Sequence, residues 1–547
     1  MRSSVSLSRF RSLSLVLVVG VLNLQINTAD AKVYQSLEEF SSDSSKGAKV
    51  YDFVLVGGGV GGSVLANRLS EDARKRVLLV EAGPDNEGVL NLTAPGLFTQ
   101  IDPSTFNWNY QTIPQAGLGN RTIVYSRGKV LGGSSSVNAM IYTRGSKDDY
   151  DSWGAALVSS GEETKERNKR VWSWDVLWPW MKKHERWRPP VGNRSISGQF
   201  DPRFHGYEGN VGVSLSWGGP SAFDLRALRA IEEDGLELVT GGVFGRGFNL
   251  ELNDGNALGL CQPNSSSVLI TATKELILTA GTIGTPHILL NSGVGHKPDL
   301  ENIGVKPIVD LPEVGKSMSE HISVLLTWTR NDTAIPVDPA AALAQWQLDR
   351  TGPLAESVSA HHLIFGRFRD DWSGFKLYGD PSAGKNSAHF EVVLLPADIA
   401  AWLESTLTGG SVTLRSSNLL DPPLVDLGFL THPFDILALT EAIRITKRFL
   451  NSSAWTQDGY ITGFLGPDPD VLSKSEFEER LRAISNPYWH VVGTAALGRV
   501  VDGELKLRRV KGLRVVDASV IPHVPGAHTQ AAVYALAERA ADLIENS

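Results

Sequence analysis

Gly57, Gly59 and Gly62 stand at G-x-G-x-x-G, and Glu81 follows about 20 residues further on. This spacing suits a dinucleotide. The first glycine allows a tight turn, the second lets a pyrophosphate approach the backbone, and the third lets a helix pack closely on a strand. The helix that opens there offers unpaired N–H groups and the positive end of its dipole to phosphates. A carboxylate at Glu81 can accept from a ribose hydroxyl. A second stretch, RGKVLGGSSSVNAMIYTRG at 127–145, includes Gly132, Ser134 and Asn138. Its amides, hydroxyls and amide side chain can face an anion or a polar ring. A plain turn-rich loop is the alternative.

These residues need a strand–turn–helix–strand unit to hold them, and the sequence supplies one. Val54, Leu55 and Val56 form an apolar run suited to a buried parallel strand, and Val77 to Val80 form the next, ending at Glu81. A strand over Glu275 to Ala280 runs into GTIGTPHILLNSGVG at 281–295. A last strand, Leu513 to Val516, ends at Asp517 and leads to a helix over Thr529 to Ile544. Between these lie segments of another texture. SVTLRSSNLLDPPLVDL at 411–427 reads as antiparallel strands turning at Asp421-Pro422-Pro423. Trp172, Trp174, Trp178, Trp180 and Trp187 cluster where aromatic packing at a domain seam is expected, with Asp175 a candidate cap for the helix that follows.

The fold class expected is α/β (α+β overall). A Rossmann-like cofactor domain is interleaved with a substrate domain built on an antiparallel sheet and helices. The boundaries expected are 1–31 for a leader, 32–49 for a loose lead-in, 50–150, 205–315 and 490–547 for the cofactor domain, and 151–204 and 316–489 for the substrate domain.

Composition narrows the partners. With 547 residues, 42% apolar and 20% charged, the chain reads as globular, and its net charge of −8 argues against nucleic acid. Arg2, Arg9 and Arg11 precede the short apolar run Leu13 to Leu24, and Ala29-Asp30-Ala31 offers a cleavage site before Lys32. A secreted, extracellular protein is expected, with no stable membrane span after the leader. Sequons begin at Asn91, Asn120, Asn193, Asn264, Asn331 and Asn451, which suits glycosylation. Cys261 is the only cysteine, so stability rests on core size and not on disulfides.

The combination resembles the glucose–methanol–choline (GMC) oxidoreductases, a family of FAD-dependent alcohol oxidases and dehydrogenases. Its two signatures fall within 128–151 and at 281–295, and the C-terminal block KGLRVVDASVIPHVPGAHTQAAVYALAERAADLI also matches. Within the family the chain is most similar to fungal aryl-alcohol oxidases, through QLDRTGPL at 347–354, NSAHFE at 386–391, HVVGTA at 490–495 and GAHTQ at 526–530. The resemblance implies that His490 takes the hydroxyl proton of a primary, aryl alcohol while a hydride leaves the same carbon for the flavin. It implies that His528 binds the alcohol oxygen, and that Asp517, Thr529 and Gln530 belong to the cofactor site. Imidazole suits such work because its proton affinity lies near working pH. Among twelve histidines, only motif context separates these two from His184 or His361. Val137 stands where some members carry a histidine bonded to FAD, so the flavin is expected to be non-covalent. The protein is expected to act as a monomer on a small-molecule alcohol, with O2 reoxidising the flavin to give H2O2.

Two departures from the family stand out. Ala139 replaces a pocket aromatic, while Trp489 keeps an aromatic at a second pocket position. Between Leu260 and Lys274 the chain has almost none of the long passage that family members place there, which includes a sheet strand near the adenine. The alternatives are therefore a GMC dehydrogenase that passes electrons from sugars or other alcohols to quinones, a hydroxynitrile lyase, and an inactive chain that holds FAD poorly.

Overall fold

The computed structural model describes residues 13–14, 30–31, 34, 37–42, 50–159, 171–234, 270–331, 337–356, 362–395, 399–403 and 409–546, apart from Asn193, Gly198, Gly219 and Pro220. Most of the expected leader, Cys261, the shortened passage up to residue 269, His361 and the sequons at Asn193 and Asn264 lie outside them.

The N-terminal unit forms as its residue pattern dictates. Val50–Val56 (β1) ends at a glycine turn, Val60–Ser70 (α1) follows, and Val77–Val80 (β2) returns parallel to β1. Next come Trp174–Lys183 (α2) and Ala222–Asp234 (α3). Thr271–Leu278 (β3) runs into Gly281–Asn291 (α4). The strands Ile322–Leu326 (β4), His362–Gly366 (β5), Phe390–Leu394 (β6) and Ile399–Leu403 (β7) precede the long helix Pro433–Leu450 (α5). Ser485–Pro487 (β8), Leu513–Val515 (β9) and Gln530–Glu545 (α6) complete the frame.

Two sheets organise these elements. One is wholly parallel, in the order β9-β3-β1-β2, with Leu55 paired to Leu79 on one side and Ile277 on the other. Leu55, Leu79 and Ile277 are fully buried, as a sheet covered on both faces requires. The other sheet is wholly antiparallel, in the order β5-β6-β7-β4-β8. Helix α6 joins the parallel half by presenting small side chains, Ala531, Ala532, Ala535 and Ala540, all buried, so that α1 and α2 can approach it. The Arg68 guanidinium clamps the Glu538 carboxylate across α1 and α6, its Nη2 2.7 Å from Oε1. Among the described residues, no helix is long and apolar enough to cross a membrane.

Local expectations fare differently. The hairpin within 411–427 forms, with Ser411–Thr413 antiparallel to Leu424–Asp426. The strand at β3 begins four residues earlier than its apolar pattern suggests, because Thr271 and Ala272 pair with Val50 and Tyr51. The lead-in is not loose throughout. Tyr34 and Phe40 are buried, meet edge-on at 5.2 Å, and pack against Tyr51, Val54 and Leu78. Two aromatics in a serine-rich stretch are enough to cover an apolar sheet face. Asp175 does not cap α2: Ser173 is the N-cap residue, and Asp175 lies in the first turn with its carboxylate 2.9 Å from Lys147. The tryptophans pack, with Trp174 stacked on Trp178 and Trp187 stacked on Phe200.

Candidate functional site

The glycine turn divides into positions the protein itself requires and one it does not. Gly57 adopts φ +111°, and a Cβ there would meet the Thr279 carbonyl oxygen at 2.4 Å. A Cβ on Gly62 would stand 1.9 Å from the Gly57 carbonyl oxygen. These glycines are demanded by turn geometry and by the close approach of α1. Gly59 is different: a Cβ there would meet nothing nearer than 3.9 Å. Its absent side chain leaves open space beside the first turn of α1, where no side chain caps the N-terminal amides.

The second glycine-rich loop docks on the first. Gly132, at φ +87°, donates its N–H to the Gly58 carbonyl at 2.8 Å, and Gly133 approaches Gly59 so closely that a Cβ would lie 2.8 Å from its Cα. Ser134 accepts at Oγ from the Gly128 N–H. Asn138 donates from Nδ2 to Gln530 Oε1 at 2.8 Å, which ties this loop to the start of α6. Thr529 is the N-cap residue of α6, and its hydroxyl caps nothing.

The two acids expected at the cofactor are both engaged by the protein itself. Glu81 accepts from the Gly58 N–H at 2.6 Å and the Gly83 N–H at 2.8 Å, and burial pushes its carboxyl above the ordinary range. The Ala82 N–H acts on the same carboxyl, which leaves one of its four lone pairs for a hydroxyl donor. Asp517 accepts from the Gly281 N–H, the Thr285 hydroxyl and the Ser519 N–H, so it fastens the start of α4 to the end of β9. Burial raises this carboxyl as well.

His490 and His528 come together from distant parts of the chain, their ring centroids 4.7 Å apart and both rings buried. His490 follows β8, and His528 lies two residues before α6. Each is held from behind. The His528 N–H donates to Thr143 Oγ1 at 2.9 Å, and its Nε2 lies 3.2 Å from Glu391 Oε1 on β6. The His490 N–H donates to Glu320 Oε1 at 2.7 Å, and its Nδ1 lies 2.9 Å from His321 Nδ1. Burial, with His528, His321 and Arg127 adding to it, holds the His490 imidazole neutral well below the ordinary histidine range. Glu320 also accepts from the Tyr125 hydroxyl, and burial lifts its carboxyl to about 7.

Trp489 stands at the rim, 44% exposed, at φ +61°, with its carbonyl accepting from Arg127 Nη2 at 2.6 Å. Ala139 is half-buried beside Asn138 and Met140. A small cavity lies on that side, lined by Asn91, Phe98, Ser135, Asn138 and Met140 among others. Among the described residues, no group of three or more His, Cys, Asp or Glu is arranged to hold a metal ion.

Four residues at this site escape a motif reading: Thr143, Glu320, His321 and Glu391. Glu391 closes the quoted NSAHFE run, yet only strand β6 brings it to His528. The signal for the pair Glu320-His321 is an acid and an imidazole directly before the apolar strand ISVLL.

Comparison with known proteins decides the family. The N-terminal GMC oxidoreductase profile matches residues 51–240 and 221–323, and the C-terminal GMC oxidoreductase profile matches 406–537. This chain belongs to the GMC oxidoreductase family. Among the curated GMC relatives, pyranose dehydrogenase 3 of Leucoagaricus meleagris is 34% identical over 618 positions, covering 97% of each chain. The FAD-dependent oxidoreductase of Chaetomium thermophilum superposes with a TM-score of 0.78 at 26% identity, covering 91% of this chain and 99% of its own. A fungal aryl-alcohol oxidase superposes with a TM-score of 0.75 at 24% identity, again over 91% and 99%, which shows the fold. The GMC cofactor is FAD, and the cradle fits it, because the space at Gly59 and the uncapped amides of α1 suit a pyrophosphate that the protein's own packing does not replace.

Proposed function

We propose that this chain oxidises the CH–OH carbon of a small alcohol or sugar, with His490 as the base and His528 as the group that holds the hydroxyl oxygen. The observation that carries this reading is the pair of buried imidazoles 4.7 Å apart, close enough to share one hydroxyl. His490 is neutral and able to take a proton. Glu391 behind His528 favours an N–H at Nε2 and supports a positive charge on that ring, which helps it hold a developing alkoxide. FAD, when bound, supplies the acceptor for the hydride that leaves the carbinol carbon. Gly59, the α1 amides, Gly132, Ser134 and Asn138 would hold the cofactor, together with Glu81, Thr529 and Gln530, while Asp517 fastens the elements around it. Val137 offers no nucleophile for a covalent link.

The first choice of substrate is a sugar hydroxyl with a quinone-type acceptor. It is supported by the pyranose dehydrogenase relative, which aligns over 97% of the chain. Ala139 leaves room where an aryl pocket would carry a ring, and Trp489 offers a face for a pyranose. The second reading is an aryl-alcohol oxidase using O2, favoured by the motif at 386–391 and by the aromatic at Trp489. Residues 1–31 as a secretory leader, and the exposed sequon residues Asn120, Asn331 and Asn451, support a secreted glycoprotein. The division into a cofactor domain around the parallel sheet and a substrate domain around the antiparallel sheet belongs to the same reading.

Anaerobic stopped-flow reduction at matched flavin content tests the assignment. His490→Ala and His528→Ala are each expected to keep FAD and to slow reduction by at least about a hundredfold. An unchanged rate in either variant removes that residue's role. Peroxide release with an aryl alcohol, against quinone reduction with a pyranose, separates the two substrate readings.

A further inference from the structure

Trp489, directly before His490, holds a backbone conformation that its side chain disfavours. Its φ of +61° is left-handed, a region where a Cβ crowds the following carbonyl oxygen. Such a residue persists only where its surroundings over-determine it. Here they act at both ends of one peptide unit. The Trp489 carbonyl accepts from Arg127 Nη2 at 2.6 Å, and the His490 N–H donates to Glu320 Oε1 at 2.7 Å. The peptide is trans, so its C=O and N–H point in opposite directions and the two side chains grip it from opposite sides. Upstream, the Tyr488 N–H donates to the His321 carbonyl at 3.2 Å, beside the pairing of Ile322 with Pro487. The turn is pinned before Trp489 by strand pairing and after it by Arg127 and Glu320.

Arg127 is itself fixed. Its N–H donates to Asn107 Oδ1 at 2.9 Å, and its carbonyl accepts from the Trp108 N–H at 2.9 Å. Its Nε donates to the Ser126 carbonyl at 2.7 Å, and its Cζ lies 5.2 Å from the centre of the Tyr125 ring. The Tyr125 hydroxyl donates to Glu320, so one ring joins the two grips. Two of the three guanidinium nitrogens are spent on backbone carbonyls, whereas a guanidinium that reads a ligand presents its fork to that ligand. The next residue, Gly128, donates its N–H to Ser134 Oγ at 3.2 Å, in the loop that docks on the first glycine turn. Arg127 links the cofactor loop to the residue before His490.

We propose that Arg127 is a positioning residue. By holding the Trp489 carbonyl while Glu320 holds the next N–H, it keeps Trp489 left-handed and aims the His490 ring at the hydroxyl shared with His528. Without this hold, Trp489 relaxes to a negative φ and the His490 ring leaves its place 4.7 Å from His528. This rests on the reading of His490 as the base.

The test uses the FAD-loaded protein, with glucose and benzyl alcohol as probes of anaerobic flavin reduction. Crystal structures of the parent and of Arg127→Ala read the geometry. The parent is expected to keep Trp489 at positive φ, and the variant to place it at negative φ with the His490 ring displaced from His528. In stopped flow, Arg127→Ala should lower the limiting reduction rate about tenfold or more at matched flavin content, with the substrate dissociation constant changed much less. Arg127→Lys keeps a donor of similar reach and is expected to restore most of the rate. Glycine adopts positive φ without strain, so on a Trp489→Gly background Arg127→Ala should lower the limiting rate less than about threefold. A parental φ at Trp489 in Arg127→Ala overturns the proposal, and so does a parental limiting rate. A loss confined to substrate affinity, or equal losses on the two backgrounds, overturns it as well. If Arg127→Ala does not retain flavin, or neither probe reduces the parent, the φ of Trp489 in the two structures decides alone. Failure of the base reading is seen separately, as a parental reduction rate in His490→Ala.

Discussion

Glu320 gathers four residues of the site onto one carboxyl group: Tyr125 through its hydroxyl, His321 and His490 through their backbone N–H groups, and Arg127 through its charge. Burial outweighs these stabilising contacts and lifts the carboxyl from its ordinary 4.5 to about 7. Between about pH 4.5 and 7 the folded protein binds a proton that the unfolded chain has released, so this group makes stability fall as pH rises through that window. The full cost, reached above about pH 7, is on the order of 3 kcal/mol. Glu320→Gln keeps an oxygen for the two N–H groups and an amide for Tyr125, and it does not titrate. The variant is therefore expected to gain stability relative to the parent as pH rises from 5 to 8. Other raised carboxyls, such as Glu81 and Asp517, slope the same way in both proteins, so the difference between their melting curves isolates Glu320. A gap that stays constant with pH would mean that the carboxyl is ionised throughout. At this scale the sequence is half legible. His490 and His528 sit in runs whose order carries their meaning. Glu320, His321 and Thr143 acquire theirs only when strand pairing and loop docking bring them to residues far away in the chain.

At the scale of elements, the strand–turn–helix–strand unit was the most legible part because all its signals are local: an apolar run, glycines at fixed spacing, a second apolar run and an acid. What the spacing does not reveal is which glycine serves the protein and which leaves space for a ligand. Geometry separates them, and the separation is testable. Gly62→Ala forces a methyl to within 1.9 Å of the Gly57 carbonyl oxygen. It is expected to cost the apoprotein about 3 kcal/mol as an overpacking defect. Gly59 has an ordinary φ of −72°, and its Cβ would have 3.9 Å of clearance. Gly59→Ala is expected to cost the apoprotein at most about 1 kcal/mol, the usual effect at an N-cap, but to weaken FAD binding about tenfold or more. Melting of the apoprotein together with a flavin titration checks both. If Gly59→Ala bound FAD as tightly as the parent, the pyrophosphate would not pass over this residue. The helix caps and the antiparallel sheet were less legible. Ser173 and Asp175 are both plausible caps by type, and the order β5-β6-β7-β4-β8 depends on pairings between segments up to 165 residues apart in the chain, as between Ile322 and Pro487.

The whole molecule raises the question of the shortened passage before β3. Pyranose dehydrogenase 3 aligns over 618 positions, more than the 547 residues of this chain, so the GMC relative carries residues that have no counterpart here. We place the shortfall between Leu260 and Lys274. Ordinary surface loops change length at little thermodynamic cost. A strand is different, because losing one leaves neighbouring N–H and C=O groups without partners and removes apolar burial worth about 25 cal/mol per Å². Among the described residues, the parallel sheet has four strands, and its outermost members are β9 and β2. His490 and His528, by contrast, are set by β4, β6, β8 and α6, all of them distant in sequence from the shortfall. The expected defect is therefore in holding FAD and not in arranging His490 and His528. Inserting a family-like passage between Asn264 and Thr273 should raise FAD content, melting temperature and alcohol turnover together, while turnover per bound flavin changes little. Flavin absorbance per protein, thermal melting and turnover of the parent and the extended chain check this. If the parent already binds FAD stoichiometrically and the extended chain gains nothing, the missing passage is a dispensable loop and the four-stranded sheet is sufficient for the cofactor.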